Sequence, residues 1–116
     1  MNTLGQVQRL VERYRDSFIV VEGKADVLAL ERLGLSRVYE IYQDMVSVRL
    51  RVQQLLASMK GDEPVIILTD FDRRGKQLFV LLCHLFADYG KRIDPLFRGV
   101  VKQTGILYIE DLGSVK

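Results

Sequence analysis

Residues 65–76 read VIILTDFDRRGK, an apolar run that passes directly into a cluster of acidic and basic residues. Four consecutive apolar residues, Val65–Leu68, are typical of a strand that is covered on both faces. The preceding residues 61–64, Gly-Asp-Glu-Pro, predict a turn. We therefore expect a buried central strand whose carboxyl end carries Asp70 and Asp72.

On both sides of this strand, helical and extended patterns alternate along the chain. Helices are predicted for about residues 4–15, 24–33, 44–60 and 73–89, and further strands for residues 18–21, 37–41, 93–97 and 106–109. Residues 44–60 fit both periodicities, and their length favours a helix. Gly34 is well placed to end the second helix as a left-handed cap.

The spacing of these elements predicts the fold class. Strands separated by helices of about 10 to 17 residues cannot pair as hairpins, so they require right-handed crossovers and a parallel sheet. We expect an α/β fold, a three-layer α/β/α sandwich of Rossmann-like type around a four-stranded, mostly parallel sheet of order 2-1-3-4. A chain of 116 residues is enough for one domain.

Composition excludes several classes of protein. With 17 basic and 15 acidic residues, the net charge of +2 is far from that of a strongly basic nucleic-acid coat protein. Cys83 and His84 are the only cysteine and histidine, so a metal ion must be held by oxygen. No apolar run is long enough for a membrane span and no secretion signal is visible, so we expect a cytoplasmic protein without a membrane partner.

Acidic residues follow two of the predicted buried strands. Glu22 comes directly after the first strand, and Asp70 and Asp72 come after the third. Residues two apart in extended backbone point to the same side, so the two aspartates project together while Phe71 turns into the core. Ligands of open parallel sheets bind beyond the carboxyl ends of the strands. If strands one and three are neighbours, Glu22 joins the aspartates there.

Three clustered carboxylates repel one another unless a cation or protons compensate their charge. Mg²⁺ accepts one or two carboxylates and keeps positions for water and phosphate oxygens, which suits an Asp-x-Asp pair. The sequence therefore predicts Mg²⁺, with Mn²⁺ as a substitute, held by Glu22, Asp70 and Asp72. Such an ion would neutralise charge on a phosphodiester oxygen, while Glu22 serves as general acid or base.

Helix capping is the ordinary alternative for these acidic residues. Asp72 could cap the helix that begins near Arg73, and Asp26 could stabilise the first turn of the helix after Glu22. Capping is the favoured interpretation for Asp26 alone. For the three carboxylates together, metal binding is favoured because each helix needs only one cap.

Basic residues flank the predicted metal ligands. The four nearest are Lys24, Arg73, Arg74 and Lys76. With the N–H groups of two helix starts, they are expected to receive phosphate, and Arg98 and Lys102 extend the same edge. The alternative is that these side chains merely face solvent.

Two motifs carry a family resemblance. Residues 21–26, VEGKAD, and residues 68–75, LTDFDRRG, resemble the signature motifs of the Toprim domain. That domain occurs in bacterial-type primases, type IA and type II topoisomerases, recombination-repair proteins and a ribosomal RNA maturation nuclease. More closely, the chain resembles the small stand-alone Toprim proteins of archaea in its short length, in the sequence DFDRRG at residues 70–75 and in the closing IEDL at residues 109–112.

The resemblance implies a single Toprim domain over residues 1–116 that binds Mg²⁺ and acts on RNA or DNA phosphodiesters. The family's motif glutamate falls on Glu22, and its metal-binding aspartates fall on Asp70 and Asp72. The supporting motif positions are Gly23, Asp26 and Gly75. We expect neither topoisomerase nor complete primase activity, because those enzymes use a tyrosine or a template-holding subdomain from a further domain.

Three functions are open at this point. The preferred one is Mg²⁺-dependent nuclease or nucleotidyl- or phosphoryl-transfer chemistry. The second is a non-catalytic module that binds nucleic acid or a nucleotide while a partner protein performs the chemistry. The third is a receiver-like phosphoacceptor domain, which is disfavoured because it needs an acidic pair after the first strand, where Glu22 stands beside Gly23.

Overall fold

The computed structural model describes residues 3–114, which form helices on both faces of a small sheet. In chain order the elements are α1 (Thr3–Arg13), β1 (Ile19–Val21), α2 (Lys24–Leu33), β2 (Val38–Glu40), α3 (Val48–Leu56), β3 (Ile66–Ile67), α4 (Arg73–Asp88), α5 (Leu96–Gln103) and a closing 3₁₀ helix η1 (Ile109–Ser114). None of the described helices combines the length and the hydropathy that a membrane crossing requires.

The sheet consists of three parallel strands in the order β2-β1-β3. In the central strand β1, Val20 lies opposite Tyr39 of β2 and opposite Ile67 of β3. All three residues of β1 are buried, as the apolar run predicted. Because β1 and β3 are hydrogen-bonded neighbours, the segments that follow them emerge at the same edge of the sheet.

Alternate residues of the first apolar run enter different layers. Ile19 and Val21 pack with α1, α2, α5 and η1, whereas Phe18 and Val20 pack with α3 and α4. The alternation follows from the two-residue period of extended backbone. Each face of β1 is therefore covered by helices, as expected for parallel strands.

The predicted fourth strand is wrong. Ile93 forms only an isolated parallel bridge beside the start of β3, and the chain enters α5 at Leu96. Pro95 has no N–H to donate to a ladder. The Asp94 side chain accepts the N–H of Leu96 at 3.0 Å, which favours a helix start over a continued strand. The predicted order 2-1-3-4 therefore reduces to three strands in the described part of the chain.

The predicted strand at residues 106–109 is also wrong. Leu107 and Tyr108 are exposed, and the N–H of Asp111 turns back onto the carbonyl of Tyr108. The chain continues as η1, which packs on α2. Among the strands of the described residues, none pairs with residues 106–109. The carbonyl of Leu107 accepts the N–H of Phe71, and the N–H of Ile109 donates to the carboxylate of Asp70.

Helix boundaries follow local capping. α2 matches the predicted range of residues 24–33 and ends at Gly34, whose φ of 112° is the left-handed cap that the sequence indicated. α3 is a helix as predicted but begins at Val48, later than expected. Ser47 caps it by accepting the N–H of Leu50 at 3.1 Å, and the residues before it form a turn.

An ion pair between Arg37 and Glu63 links the segments that precede β2 and β3, at the amino-terminal edge of the sheet. Arg37 donates to both carboxylate oxygens of Glu63, at 2.7 and 2.8 Å, and to the carbonyls of Asp16 and Ser58 at 2.8 Å. The side chains of Arg37 and Glu63 are only 13% and 18% exposed. Two-pronged geometry and low exposure make such a pair stronger than a surface ion pair. The Arg37 hydrogen bonds lower the pKa of Glu63.

Replacing Glu63 with glutamine should remove part of the acid dependence of stability. Because the pKa of Glu63 is lowered on folding, the ionised pair stabilises the protein above the ordinary glutamate pKa of 4.5 and loses this effect as the pH falls through the lowered pKa. At neutral pH, Glu63→Gln should lower the free energy of unfolding by about 1.5–3 kcal/mol. Urea unfolding across acidic pH should show a steeper decline for wild type than for the variant, and parallel curves would contradict the prediction.

Candidate metal centre

The ends of β1 and β3 bring three carboxylates together. Glu22, Asp70 and Asp72 each offer one oxygen, and these oxygens all lie within 4.8 Å of one another. Mg²⁺ takes oxygen ligands at about 2.0–2.1 Å, so oxygens on opposite sides of one ion are about 4 Å apart. The group therefore has the spacing to share a single ion, directly or through water. All three side chains are partly buried.

A backbone N–H holds one oxygen of each carboxylate. The carboxylate of Glu22 accepts from the Asp70 N–H, that of Asp70 from the Ile109 N–H, and that of Asp72 from the Gly75 N–H, each at 2.8 Å. Such charge-assisted hydrogen bonds fix the side chains in place. The three like charges are therefore positioned by the fold itself.

Asp72 and Asp26 also cap helices, as the alternative interpretation predicted, and this does not prevent the clustering of the three carboxylates. Asp72 is the N-cap of α4, because its side chain accepts the N–H of Gly75. A carboxylate has two oxygens, so Asp72 can cap the helix and still lie in the cluster with Glu22 and Asp70. Asp26 is buried and accepts the N–H of Gly23 at 3.1 Å. Asp26 therefore supports the start of α2, while Glu22 belongs to the group.

Burial and mutual repulsion make this group receptive to positive charge. Burial raises the pKa of Glu22, and the neighbouring aspartate charges raise it further against the opposing hydrogen bond from Asp70. Burial likewise raises the pKa of Asp70, and the charge of Asp72 adds to the effect. Both raised pKa values mean that the folded protein takes up protons, or a cation in their place, more readily than separate carboxylates would.

Gly75 is required by a close backbone approach. A Cβ atom at this position would lie 2.1 Å from the carbonyl oxygen of Asp70, far inside any van der Waals contact. The buried hydroxyl of Thr69 donates to the carbonyl of Gly75 at 2.7 Å and holds the same two segments together. The first turn of α4 is thereby pressed onto the end of β3, which places Asp72 beside Asp70.

Arg98 braces this segment, a role that the sequence did not indicate. Its guanidinium lies between the rings of Phe71 and Phe79, 4.3 and 4.5 Å from their centroids. It also donates to the carbonyls of Thr69 and Asp70. Arg98 is partly buried, so it supports the acidic loop instead of extending an exposed phosphate-binding edge. Only the tertiary fold brings α5 to this place.

The predicted phosphate-binding residues lie at the starts of α2 and α4. All are exposed, and none makes an ion pair with a side chain of residues 3–114; they are Lys24, Arg73, Arg74 and Lys76. Exposed unpaired cations near a helix start can receive an anion. Their part in binding phosphate stays a prediction.

Comparison with known proteins agrees with this geometry. A family model described as the Toprim domain matches residues 17–103, which include both acidic motifs. The chain belongs to the Toprim domain family. Toprim domains bind a divalent metal ion, and the donor set of three carboxylates fits a hard ion such as Mg²⁺ or Mn²⁺. Because the chain belongs to the Toprim family, the receiver-like phosphoacceptor interpretation is dropped.

Relatives of this Toprim chain include small archaeal proteins, as the sequence motifs indicated. A UPF0292 protein of Methanosarcina barkeri is 34% identical over 103 residues, covering 87% of this chain and 68% of the relative. A UPF0292 protein of Thermococcus onnurineus is 36% identical over 110 residues, covering 90% and 79%. Among solved structures, a putative protein from Aquifex aeolicus matches with a TM-score of 0.78 and 25% identity, covering 93% of this chain and 96% of that chain.

Mg²⁺ should raise the melting temperature of the wild-type protein, and Asp70→Asn should abolish most of that rise. An ion that binds only the folded state stabilises it by about 2.7 kcal/mol at a hundred times its dissociation constant. Asparagine keeps an oxygen for the Ile109 N–H but removes one charge. Metal-free Asp70→Asn should therefore melt at or above the temperature of metal-free wild type. Differential scanning calorimetry measures both effects.

A matched control is Asp88→Asn, which removes an exposed carboxylate at the other end of α4. Because burial raises the pKa values of Glu22 and Asp70, metal-free wild type should also gain stability as the pH falls from neutral toward those raised values. Equal Mg²⁺ effects in wild type, Asp70→Asn and Asp88→Asn would place the ion elsewhere.

Gly75→Ala should damage both stability and metal binding. Its Cβ atom must displace the backbone of Asp70, which we expect to cost about 1–3 kcal/mol or more and to misplace the carboxylates. Gly99→Ala in α5 is the control, because a Cβ atom there meets nothing within 4 Å and should stabilise by about 0.5–1 kcal/mol. Urea unfolding and Mg²⁺ titration test both variants; a normal Mg²⁺ affinity in Gly75→Ala would contradict the proposed role.

Proposed function

We propose that this Toprim protein uses a bound Mg²⁺ ion to act on phosphodiester bonds of RNA or DNA, by nuclease or nucleotidyl-transfer chemistry. The observation that supports the proposal is the convergence of Glu22, Asp70 and Asp72 within 4.8 Å at the carboxyl edge of the sheet. Three oxygen ligands at an open edge leave room for a phosphate group beside the ion. Membership of the Toprim family adds to this support.

The proposed roles follow from the position of each carboxylate. Asp70 and Asp72 hold the ion, with Glu22 beside it, and when bound the ion neutralises charge that develops on phosphate oxygens. Glu22 in its ionised form accepts a proton from the attacking hydroxyl or water and returns it to the leaving oxygen. A carboxylate has two oxygens, so Glu22 keeps one for this role besides the oxygen that accepts the Asp70 N–H.

The basic residues at the two helix starts supply affinity for the nucleic-acid backbone. Lys24 begins α2, and Arg73, Arg74 and Lys76 lie in the first turn of α4, so the exposed cations belong to the two helices whose starts follow Glu22 and Asp72 in the chain. Lys and Arg contacts to phosphate release counterions and make binding salt-dependent. A chain of net charge +2 can therefore bind a polyanion through a local concentration of cations.

A binding module that works with a partner protein is the second candidate. It is favoured by the openness of the site, because Glu22, Asp70 and Asp72 are all only partly buried at an edge of the sheet. Catalytic sites commonly exclude water around the reacting phosphate. In this alternative the same ion and cations hold a nucleic acid or nucleotide while the partner supplies the remaining groups.

Glu22→Gln should separate the two candidates. For an enzyme, we expect Mg²⁺-dependent cleavage or transfer on structured RNAs or DNAs to fall about 10²–10⁴-fold, because the variant lacks the proton acceptor. The amide oxygen can still accept the Asp70 N–H, so the fold should survive. A screen of labelled RNAs and DNAs on denaturing gels, with Mg²⁺, Mn²⁺ or chelator, measures turnover.

Glu31→Gln is the matched control, because Glu31 is exposed on α2 away from the carboxylate group. Its activity should equal that of wild type. If wild type binds strands in the presence of Mg²⁺ but turns over none of them, the binding module is the correct function. If it neither binds nor cleaves any strand, the proposal fails in both forms.

A further inference from the structure

A groove of about 200 Å³ lies beside the carboxylate group, between the loop after β2 and the first turns of α4. It is lined by Tyr42, Val48, Arg74, Gln77, Leu78 and Leu81. Each wall contains one residue that is linked to the metal centre through the backbone. The N–H of Tyr42 donates to the carbonyl of Glu22 at 3.0 Å, and Arg74 follows Asp72 by two residues. The groove is therefore a neighbour of the proposed metal centre, and none of the three carboxylate residues lines it.

The polar and aromatic side chains of this groove are available to a ligand, because contacts with the described residues do not occupy them. The Tyr42 side chain is 44% exposed, and its ring stacks on no other aromatic ring in the described chain. The exposed side chains of Arg74 and Gln77 make no ion pair or hydrogen bond with any of residues 3–114. Buried Leu78 and partly buried Val48 form an apolar floor.

This combination matches the chemistry of a nucleotide. A tyrosine ring offers a face for stacking, and a glutamine amide both donates and accepts hydrogen bonds, as the edge of a base requires. A free guanidinium suits the phosphate attached to that base. No aspartate or glutamate lines the groove itself, and a bound cation compensates the charge of the neighbouring Glu22, Asp70 and Asp72.

We propose that the groove holds one unpaired nucleobase, with its face on Tyr42, its edge toward Gln77 and its phosphate near Arg74. This inference rests on the proposed function, because the phosphate at the metal centre belongs to the same strand. A base that is paired and stacked in a duplex cannot enter such a groove, whereas a base in a single strand, loop or bulge can. The preferred substrate is therefore a single-stranded or locally unpaired nucleic acid.

Binding of an apolar protein segment is the competing use of the groove, because Leu81 is 43% exposed. The uncompensated charge of Arg74 and its adjacency to the carboxylate group favour a nucleotide instead. A partner protein or a second copy of this chain is therefore one of the outcomes that the experiment must detect.

Tyr42→Ala and Tyr42→Phe test the proposal. Stacking on an aromatic ring contributes about 1–3 kcal/mol per base, so Tyr42→Ala should weaken binding of a labelled single strand about 5- to 150-fold. Tyr42→Phe should bind as wild type does, and both variants should keep the wild-type affinity for a blunt duplex. Fluorescence anisotropy with Mg²⁺ gives the affinities, and denaturing gels of the same samples show whether any strand has been cut. Single strands with an abasic site at successive positions should lose the dependence on Tyr42 at one position.

Tyr89→Ala is the matched control, because Tyr89 is 40% exposed but lies at the far end of α4. It should bind single strands like wild type. If wild type binds strands and Tyr42→Ala binds them equally well, the base subsite is wrong while the proposed function stands. If wild type binds no strand, both fail. If Tyr42→Ala changes the oligomeric mass of the protein but leaves its affinity for strands unchanged, the groove is a protein contact and the inference is overturned.

Discussion

The parallel pairing of β1 with β3 is the interaction on which the carboxylate group depends. Ile19 lies opposite Ile66, so the segments after the two strands leave the sheet at the same level. Glu22 and Asp70, 48 residues apart in sequence, then join directly through the Asp70 N–H. A different register between β1 and β3 would move Glu22 away from the Asp70 N–H. The pairing of these two strands thus also sets the geometry of the site.

Local sequence patterns predicted the three strands of the sheet and the meeting of the carboxylates, because both depend on apolar runs and on what directly follows them. They failed at residues 93–97, where apolar residues satisfied a strand pattern while Pro95 withheld the N–H that a ladder needs. They failed again at residues 106–109, whose apolar character serves a loop and the approach to η1. Hydrophobicity alone does not say whether a neighbouring strand is available.

Contacts between residues far apart in the sequence could not be predicted from the spacing of residue types. Ile109 reaches Asp70 across 39 residues, and Arg98 reaches the same residue across 28. The sequence predicts Arg98 at the phosphate-binding edge because it follows the predicted fourth strand, and exposure to solvent is the alternative. Two aromatic rings and two carbonyls receive its charge instead. Arg98 forms no ion pair with the carboxylates within the described residues, and its nearby charge opposes the rise in the pKa of Asp70. That pKa is still raised overall because burial has the larger effect, so the site stays receptive to a metal ion.

The segment after β3 meets several geometric demands at once. Position 70 needs a side-chain oxygen that accepts the Ile109 N–H, position 72 needs a side chain that caps α4 and still lies beside Glu22 and Asp70, and position 75 needs a residue without Cβ. Only the last demand is purely steric, and it allows the first two, because the approach of Gly75 to Asp70 sets where the helix begins. The exposed positions 73, 74 and 76 carry no such restriction. Their side chains are therefore free to take part in the proposed phosphate binding, while residues 70, 72 and 75 hold the shape of the site.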